Sequence, residues 1–472
     1  MKFLKKELNR RNFLKVGGLT AGSAILAACT GQQADDGGGE APADDGGGEE
    51  EMEEEMEESS DAAPAEEAGE IVWWYGWGQL APAVDTWIGW ESFQEHIGNN
   101  TLTHKPSTSG EEFLTAFAAG EPPDGGSNTD YPGFWARGVA VPVDDMIAGS
   151  SIIDLSDTTP GFGESLRYDG QLIGVPAIES FLQWALNYNS EHVANAGLDP
   201  DSPPETWEDL LAWHEQLTIF DSAGNLEILG LDPVDAMGTE PDFHAFSQGH
   251  HWYNETEGTF HLDDPAMAAA ISNIADFYRI AGPDNVGGLR SVEGQGTWGA
   301  AVEAGVQSMI IEGYWHPGEA SINQPDIAAV NRANWAPVPA SRAGTRLQAT
   351  NAHYVQLYKD ANNIDGMFKV AEFSLTNEAL DTIFTEVGWL SNKLSHLDTI
   401  DADAFPGLRF YIESANQAEE WMIIRRSPIH WFVNDQWTEL NEQVYRDLMS
   451  AEDAAAELQK RAVEEWEAQG LG

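Results

Sequence analysis

The sequence from Ile71 onward predicts an α/β fold. Short apolar segments that suit strands alternate there with amphipathic segments of helical length, roughly 10 to 15 residues. This alternation is typical of strand–helix–strand units, in which the strands run parallel within one sheet. The region has about 400 residues, enough for two domains of ordinary size. We therefore expect mostly parallel sheets flanked by helices, with ligand contacts in the loops that follow the strands.

The early part of this region gives two clear elements. Ile71–Tyr75 predicts the first strand, which leads into the loop Gly76–Gly78. Glu111–Ala119 predicts a helix, because its two phenylalanines lie one turn apart and Gly120 follows its last residue.

Three later elements have recognisable starts or ends. Thr206 is the predicted N-cap of a helix, with Asp209 three residues later as a weak form of the capping box. A second helix opens at Pro265 and ends before Gly282. Ser308–Ile311 predicts a short apolar strand.

Residues 1–28 have the pattern of an export signal. Six Lys and Arg residues are followed by the uncharged, apolar run Val16–Ala28. This run is too short for a membrane-spanning helix, which needs about 20 residues. The segment Arg10-Arg11-Asn12-Phe13-Leu14-Lys15 resembles the twin-arginine motif, in which Arg10 and Arg11 direct export of the folded protein.

Cys29 is the only cysteine of the chain, so it cannot form an internal disulfide. The segment Leu26-Ala27-Ala28-Cys29 resembles the lipobox of bacterial lipoproteins, in which the chain is cut before the cysteine and its sulfur is lipidated. Two or more acyl chains anchor a protein stably. We therefore predict that a lipid on Cys29 holds the protein on the outer face of the cytoplasmic membrane.

Residues 29–70 are predicted to form a disordered acidic linker. Thr30–Glu70 contains 17 acidic residues and no Lys, Arg or aromatic residue. Such a composition cannot bury enough apolar surface to fold.

The charge of the chain excludes one class of partner. The net charge is −56, and from Ile71 onward 61 acidic residues face 17 Lys and Arg residues. A surface of this sign repels nucleic acids and anionic lipids, so we predict no nucleic-acid partner.

Catalytic and cofactor motifs are weak or missing. Gly294–Gly299 matches G-x-G-x-x-G but does not follow a predicted strand, so a dinucleotide site is not expected. The chain has no Walker A motif, no G-x-S-x-G and no H-E-x-x-H. We predict no enzyme activity, no cofactor and no metal site.

Tryptophan is frequent, with 18 residues. An indole in a cleft offers a flat apolar face on which a pyranose ring can stack, while nearby carboxylates and amides bond its hydroxyls. We expect at least two indoles to line a cleft. The candidates near predicted strand ends are Trp74, Trp77, Trp184, Trp315, Trp389 and Trp431.

Several segments resemble, in order along the chain, the family 1 extracellular solute-binding proteins of ABC importers, the maltose-binding type. "AFAAGEPPD" (Ala116–Asp124) and "RYDGQLIGVP" (Arg167–Pro176) match the first part of that pattern. "LNYNSEHVANAGLDPDSPPETWEDL" (Leu186–Leu210) is the longest match, and "AGVQSMIIEGYW" (Ala304–Trp315) follows it. One segment departs, because Gly125–Asn128 stands where the family usually has an apolar strand.

The resemblance implies a two-lobed, type II periplasmic-binding-protein-like fold, with each lobe a mostly parallel sheet flanked by helices and a ligand cleft between the lobes. Residues 71–178 and about 346–388 would form lobe I, and about 179–345 and 389–472 lobe II. The lobes would be joined near Ala177–Phe181, Arg346–Asn351 and Gly388–Ser391.

The resemblance also implies which residues face the cleft. Aromatic rings would stack on the ligand, while carboxylates and amides would bond its hydroxyls. The residues concerned are Trp74, Tyr75, Trp77, Asn128, Asp130, Glu179, Trp184, Tyr314, Trp315, Asn351, Trp389 and Trp431.

The function implied is capture of a mono- or oligosaccharide by a monomeric, exported, lipid-anchored receptor that delivers it to the membrane permease subunits of an ABC transporter. A receptor of the same fold for a polyol or a glycerol phosphate ester is an alternative, with Arg425-Arg426 as a local pair of cations for an anionic ligand. A surface-anchored glycoside hydrolase is the alternative from another class, and it would need two carboxylates at a suitable separation.

Overall fold

The computed structural model describes residues 69–176, 182–290, 299–351 and 354–471. The predicted export signal with Arg10 and Arg11, Cys29 and the acidic linker lie outside the described residues, as do the predicted first connection Ala177–Phe181 and most of Gly294–Gly299. Among the described residues, no helix is both long and apolar enough to cross a membrane.

The strands are short and are spread over the whole described chain. They are β1 (Glu70–Tyr75), β2 (Thr101–Lys105), β3 (Gly125–Ser127), β4 (Arg167–Tyr168), β5 (Gln171–Leu172), β6 (Val175–Pro176), β7 (Ala185–Asn189), β8 (Ile219–Phe220), β9 (Leu226–Leu231), β10 (Tyr253–Asn254), β11 (Thr259–Phe260), β12 (Gln307–Glu312), β13 (Asn331–Trp335), β14 (Leu347–Thr350), β15 (Tyr354–Leu357) and β16 (Glu420–Ile423).

Helices separate most of the strands. They are α1 (Ala81–Ile88), α2 (Glu91–Ile97), α3 (Gly110–Ala119), α4 (Tyr131–Ala136), α5 (Asp144–Gly149), α6 (Phe162–Ser165), α7 (Ser190–Asn195), α8 (Trp207–Leu217), α9 (Pro241–Ser247), α10 (Pro265–Ala281), α11 (Pro283–Arg290), α12 (Ala300–Glu303), α13 (His316–Asn323), α14 (Pro325–Ala328), α15 (Ile364–Phe373), α16 (Asn377–Val387), α17 (Leu394–Leu397), α18 (Leu408–Gln417), α19 (His430–Tyr445) and α20 (Ala451–Ala468). Short 3-10 turns lie at Gly78–Leu80, Leu155–Asp157, Ala236–Thr239 and Ala340–Arg342.

The local elements predicted from the sequence are confirmed. β1 and α3 each begin one residue before the predicted start. The Thr206 hydroxyl accepts a hydrogen bond from the backbone N–H of Asp209, as an N-cap does, and α10 begins at Pro265 and is followed by Gly282. The ends of these elements therefore agree with the local sequence signals.

Two five-stranded sheets form the centres of two lobes. The first sheet has the order β2-β1-β3-β15-β6, and the second has the order β13-β7-β12-β9-β8. We call the parts of the chain built on them the first lobe and the second lobe. In the first sheet Ile71 lies opposite Leu102, and in the second Met309 lies opposite Tyr188.

The sheets are mixed, and in this respect the prediction of mostly parallel sheets is wrong. In the first sheet β1 pairs in parallel with β2 and β3, but β15 pairs antiparallel with β3 and β6. In the second sheet β9 and β12 are parallel, and the other pairs are antiparallel. The reason is that β7 and β15 each enter a sheet directly from the other lobe and not through a helix, which parallel neighbours require.

The sheet order carries the chain from the first lobe to the second after β6 and back to the first at β15, after β14, while a third passage after α16 stays a prediction from the sequence. Near the second passage, β14 pairs in parallel with β16 in a small separate sheet, and the side-chain oxygen of Gln348 accepts from the backbone N–H of Trp184 at 2.9 Å. At the predicted third passage Gly388 has φ +82° and touches Gly318 backbone to backbone, since a Cβ on Gly318 would lie 2.2 Å from the Gly388 carbonyl oxygen.

β3 explains how this chain keeps a strand where its sequence departs from the family pattern. A Cβ on Gly126 would lie 2.2 Å from the Tyr358 hydroxyl and 2.7 Å from the ring of Phe113. The glycines therefore leave room for two large aromatic side chains that pack against the sheet. The side chains of Tyr358 and Phe113 therefore supply the apolar surface that the strand's own side chains would usually supply.

The buried apolar residues form one large core in each lobe and a helical core beside the second. The first core contains Ile71, Trp73 and Leu357, and the second contains Leu186, Met309 and Ile311. The helical core lies among α10, α19 and α20, where Trp437 is fully buried. The two sheets are thus each backed by rigid packing, and the loops at their ends are held in place.

Candidate ligand-binding cleft

Two loops at strand ends of the first sheet lie against each other. The backbone N–H of Gly76, after β1, donates to the carbonyl of Ser127 at 3.1 Å. A Cβ on Gly76 would lie 2.7 Å from the side-chain nitrogen of Asn128, so a larger residue here would require that side chain to move. Asn128 itself has φ +53°. The predicted residues Trp77 and Asn128 are therefore brought to one edge of the sheet.

Three predicted indoles lie where the two lobes meet. Trp77, after β1, and Trp389, at the predicted third passage, meet edge to face with ring centroids 5.8 Å apart. The indole N–H of Trp389 donates to Glu319 of α13 at 2.6 Å. Trp315, after β12, is half-buried and packs against the cores of both lobes. We call Trp77, Trp315 and Trp389 the indole cluster.

Backbone conformation places Trp315. The ring lies over Gly313, where an added Cβ would come within 2.2 Å of it, so Gly313 is needed for the ring to fold back. Tyr314 is fully buried, and its ring meets that of Trp315 edge to face at 5.2 Å. The loop after β12 thus presents one indole to the space between the lobes and inserts the adjacent ring into the first core.

A buried carboxyl group lies beside this indole. Burial raises the pKa of Glu312 well above its usual range, and the carboxylates of Asp235 and Glu319 raise it further, while a hydrogen bond from Trp315 opposes the shift. Glu312 is only 1% exposed, so its carboxyl group lies buried beside Trp315.

Asp130 caps helix α4 on the first-lobe side. One carboxylate oxygen accepts from the backbone N–H of Gly133 at 3.3 Å, and the other lies 3.1 Å from a guanidinium nitrogen of Arg137. Burial raises the pKa of Asp130, and Arg137 and His430 oppose that shift. Asp130 thus has its own structural partners.

Asn351 lies at the second passage between the lobes and is 5 % exposed. Within the described part of the chain its side-chain nitrogen has no hydrogen-bond partner. A buried amide in this state costs free energy unless another group accepts its hydrogen bond. A hydroxyl of a bound ligand is one such acceptor.

Other predicted site residues lie in packed surroundings. Trp74 meets Phe113 edge to face at 5.5 Å, and the Tyr75 hydroxyl is 2.7 Å from His104 Nδ1. Trp184 is fully buried in the second core. Glu179 lies outside the described residues. The ligand-binding roles of all these residues stay predictions.

Trp431 is 39 % exposed and lies at the start of α19, with the guanidinium carbon of Arg425 5.0 Å from its ring centroid. Beneath it is a buried network that the sequence did not predict. Arg425 Nη2 lies 2.6 Å from Glu240, and the two ring nitrogens of His430 lie 3.0 Å from Glu240 and 3.3 Å from Asp242. We call these four charged residues the Glu240 network.

The charges of the Glu240 network balance one another. Burial lowers the pKa of His430, but Glu240 and Asp242 raise it to about 9. Burial raises the pKa of Glu240, but Arg425 and His430 lower it to about 2. Ligand atoms of Glu240, Asp242 and His430 lie close enough to hold a metal ion. An imidazolium between two carboxylates, with Arg425 beside them, already neutralises the site, so the geometry favours an ion-pair network.

Two lobes, each built on a five-stranded sheet, define a type II periplasmic-binding-protein-like fold. Residues 77–381 match the model of the family described as bacterial extracellular solute-binding protein. The chain belongs to this family.

Solved structures share the fold at low sequence identity. CpMnBP1 with mannobiose bound has a TM-score of 0.72 and 17% identity, and the match covers 84% of this chain and 99% of that one. An ABC transporter solute-binding protein from Thermotoga lettingae bound with α-D-tagatose has a TM-score of 0.69 and 16% identity, covering 84% and 99%. The maltose/maltodextrin-binding domain MalE from Bdellovibrio bacteriovorus bound to maltotriose has a TM-score of 0.63 and 16% identity, covering 84% and 99%. No curated protein matches the sequence.

Proposed function

We propose that the protein captures a neutral carbohydrate between its two lobes and delivers it to the permease of an ABC importer. The observation that carries the proposal is the indole cluster, in which Trp77 and Trp389 meet edge to face and Trp315 packs against the cores of both lobes. Indole faces suit the apolar faces of sugar rings. Each of the three fold relatives described above has a sugar bound.

The charged groups near the cleft favour a neutral ligand over an anionic one. Arg425 is paired with Glu240, and Arg426 is paired with Glu255. Arg137 is paired with Asp130. To bind a phosphate ester, Arg425 would have to give up its buried partner Glu240, which costs about 3 to 5 kcal/mol. A polyol remains compatible with the same polar groups.

The proposal includes export and anchoring. The twin-arginine pattern at Arg10 and Arg11 would direct export, and the lipidated Cys29 would hold a monomer on the outer face of the cytoplasmic membrane through the acidic linker. In this proposal residues 71–178 and about 346–388 act as one lobe, and about 179–345 and 389–472 act as the other. Closing of the lobes around the sugar presents a surface that the permease subunits read.

The test is a thermal-shift screen of the purified protein over a panel of sugars, polyols and glycerol phosphate. A ligand present at 100 times its Kd stabilises a protein by about 2.7 kcal/mol. We expect a rise of the melting temperature with at least one carbohydrate, stoichiometric binding by calorimetry and no product. Stabilisation by a phosphate ester alone would contradict the carbohydrate assignment. Turnover of an oligosaccharide would support a glycoside hydrolase.

A further inference from the structure

Arg426 joins the two lobes through its side chain. It lies in the second lobe, between β16 and α19, and its guanidinium reaches main-chain carbonyls of the first lobe. Nη1 donates to the carbonyl of Ser165 at 2.8 Å, and Nη2 donates to the carbonyl of Arg167. The neighbouring residues Leu166 and Tyr168 are buried in the first core, so these carbonyls have fixed positions.

The same guanidinium is held on the second-lobe side. Nε lies 2.7 Å and Nη2 lies 2.9 Å from the two carboxylate oxygens of Glu255. Its central carbon is 5.4 Å from the ring centroid of Tyr168, and the Arg426 side chain is only 17% exposed. Hydrogen bonds from a charged donor that is shielded from water are stronger than exposed ones.

Tyrosine side chains flank the contact. Burial raises the pKa of Tyr168 in the first lobe, and the nearby hydroxyl of Tyr253 in the second lobe raises it further. Burial also raises the pKa of Tyr253. The first-lobe side of the contact is the more shielded one, since Tyr168 is 8% exposed whereas the Glu255 side chain is 34% exposed.

The backbone before Arg426 is fixed in an unusual conformation. Arg425 has φ +58°, in the left-handed region, a conformation that costs a non-glycine residue about 1 kcal/mol or more. Its ion pair with Glu240 holds it there. Adjacent arginines thus point in different directions, one into the second lobe and one across to the first.

We propose that Arg426 is a latch that holds the two lobes closed before any ligand binds. The proposal rests on the proposed closing of the lobes around a ligand and goes beyond it, because it assigns part of the closing free energy to contacts within the protein. A latch of this kind sets the fraction of ligand-free protein that is already in the closed state. The apparent Kd for the ligand depends on that fraction.

The test measures the distance between the lobes without ligand. Spin labels are placed on cysteines introduced at the exposed positions Glu111 and Glu215, one per lobe, in the full chain carrying Cys29→Ser. The body has no natural cysteine to interfere. We expect a dominant short distance in the parent. In Arg426→Gln the ratio of short to long distances falls about tenfold or more, since two charge-assisted hydrogen bonds across the lobes are lost.

Two further variants keep the test decisive. Arg426→Lys keeps the charge beside Glu255 but lacks the planar fork, so we expect a smaller shift in the same direction even where Arg426→Gln does not fold. Arg409→Gln removes an exposed arginine of α18 whose partners Asp403 and Glu413 are close to it in the chain, and it should leave the distances unchanged. The latch is refuted by a parent that is open without ligand, or by the same distances in the parent and both Arg426 variants. No sugar enters the measurement, so failure of the carbohydrate assignment leaves its result intact.

Discussion

Two of the contacts between the lobes differ in chemistry. Trp77 and Trp315 of the indole cluster are half-buried and offer apolar faces, with Trp389 buried behind them at 3% exposure, whereas the Arg426 contact is made of charge-assisted hydrogen bonds to fixed carbonyls. Stacking surfaces gain free energy from whatever apolar face covers them, but a hydrogen-bond fork is specific for one geometry. The difference separates two tasks, since the first surface suits recognition of a ligand and the second suits the setting of lobe positions.

We expect the largest effect from a substitution in the Glu240 network, because its ion pair with Arg425 holds the backbone directly before Arg426. Glu240→Ala leaves Arg425 and His430 buried without their shared partner. Removing one member of a buried pair costs about 3 to 5 kcal/mol of unfolding free energy. Denaturant unfolding measures this, with the exposed pair residue Asp403→Ala as a control that changes stability little. Equal effects of the two substitutions would show that the network contributes no more than a surface pair.

The pH dependence of stability separates the charged region from the aromatic one. His430 has a pKa of about 9 in the folded protein and about 6.5 when unfolded, and Glu240, Asp242, Asp130 and Asp435 are the charges near it. Because the folded pKa is raised, its stabilisation is complete below about pH 6.5 and is lost as the pH rises through about 9. The loss is on the order of 3 kcal/mol.

Unfolding free energies measured from pH 6 to pH 10 test this expectation. In His430→Gln the decline over that range should be smaller than in the parent, because glutamine does not titrate. A decline of the same size in both proteins would assign it to other groups.

The indole cluster is tested through affinity. Trp315→Ala removes the ring that packs against both cores, and we expect the Kd for the sugar found in the screen to rise about 10- to 100-fold, from lost stacking and apolar area. Trp90→Ala is the matched control, because its ring packs on Phe373 at 6.3 Å in the first lobe. Calorimetry reports both Kd values. An unchanged Kd in Trp315→Ala would remove this ring from the site.

The smallest effect concerns the sheet behind the first-lobe loops. Gly126→Ala forces a methyl group into Tyr358 and Phe113, and overpacking of this kind costs about 1 to 3 kcal/mol. Gly110→Ala, at the start of α3, meets no atom within 4 Å and should change stability little. Thermal unfolding compares the two. If the two variants melt together, β3 has more room than its neighbours indicate.

The sequence predicted what local chemistry decides. β1, α3 and the Thr206 cap follow from patterns within a few residues of each element. The direction of β15 in the first sheet did not follow, because it depends on a passage from the other lobe. Prediction of the α/β class therefore succeeded while prediction of strand direction failed.

The candidate site was predictable in kind more than in detail. Trp77 and Trp184 both lie near strand ends, yet one belongs to the indole cluster and the other is fully buried in the second core. A side chain's face is decided by packing that a single tryptophan in a sequence does not reveal. The Glu240 network escaped prediction because Glu240 and Arg425 are 185 residues apart and no motif connects them.

The contact between Gly318 and Gly388 brings two segments of main chain directly together, with no side chain between them. A change in the relative position of these two segments would therefore require no side chain of either glycine to move. A methyl group on either residue would push the two main-chain segments apart. Because Glu319 and Trp389 follow these two glycines and are hydrogen-bonded to each other, the same methyl group would also disturb one indole of the cluster.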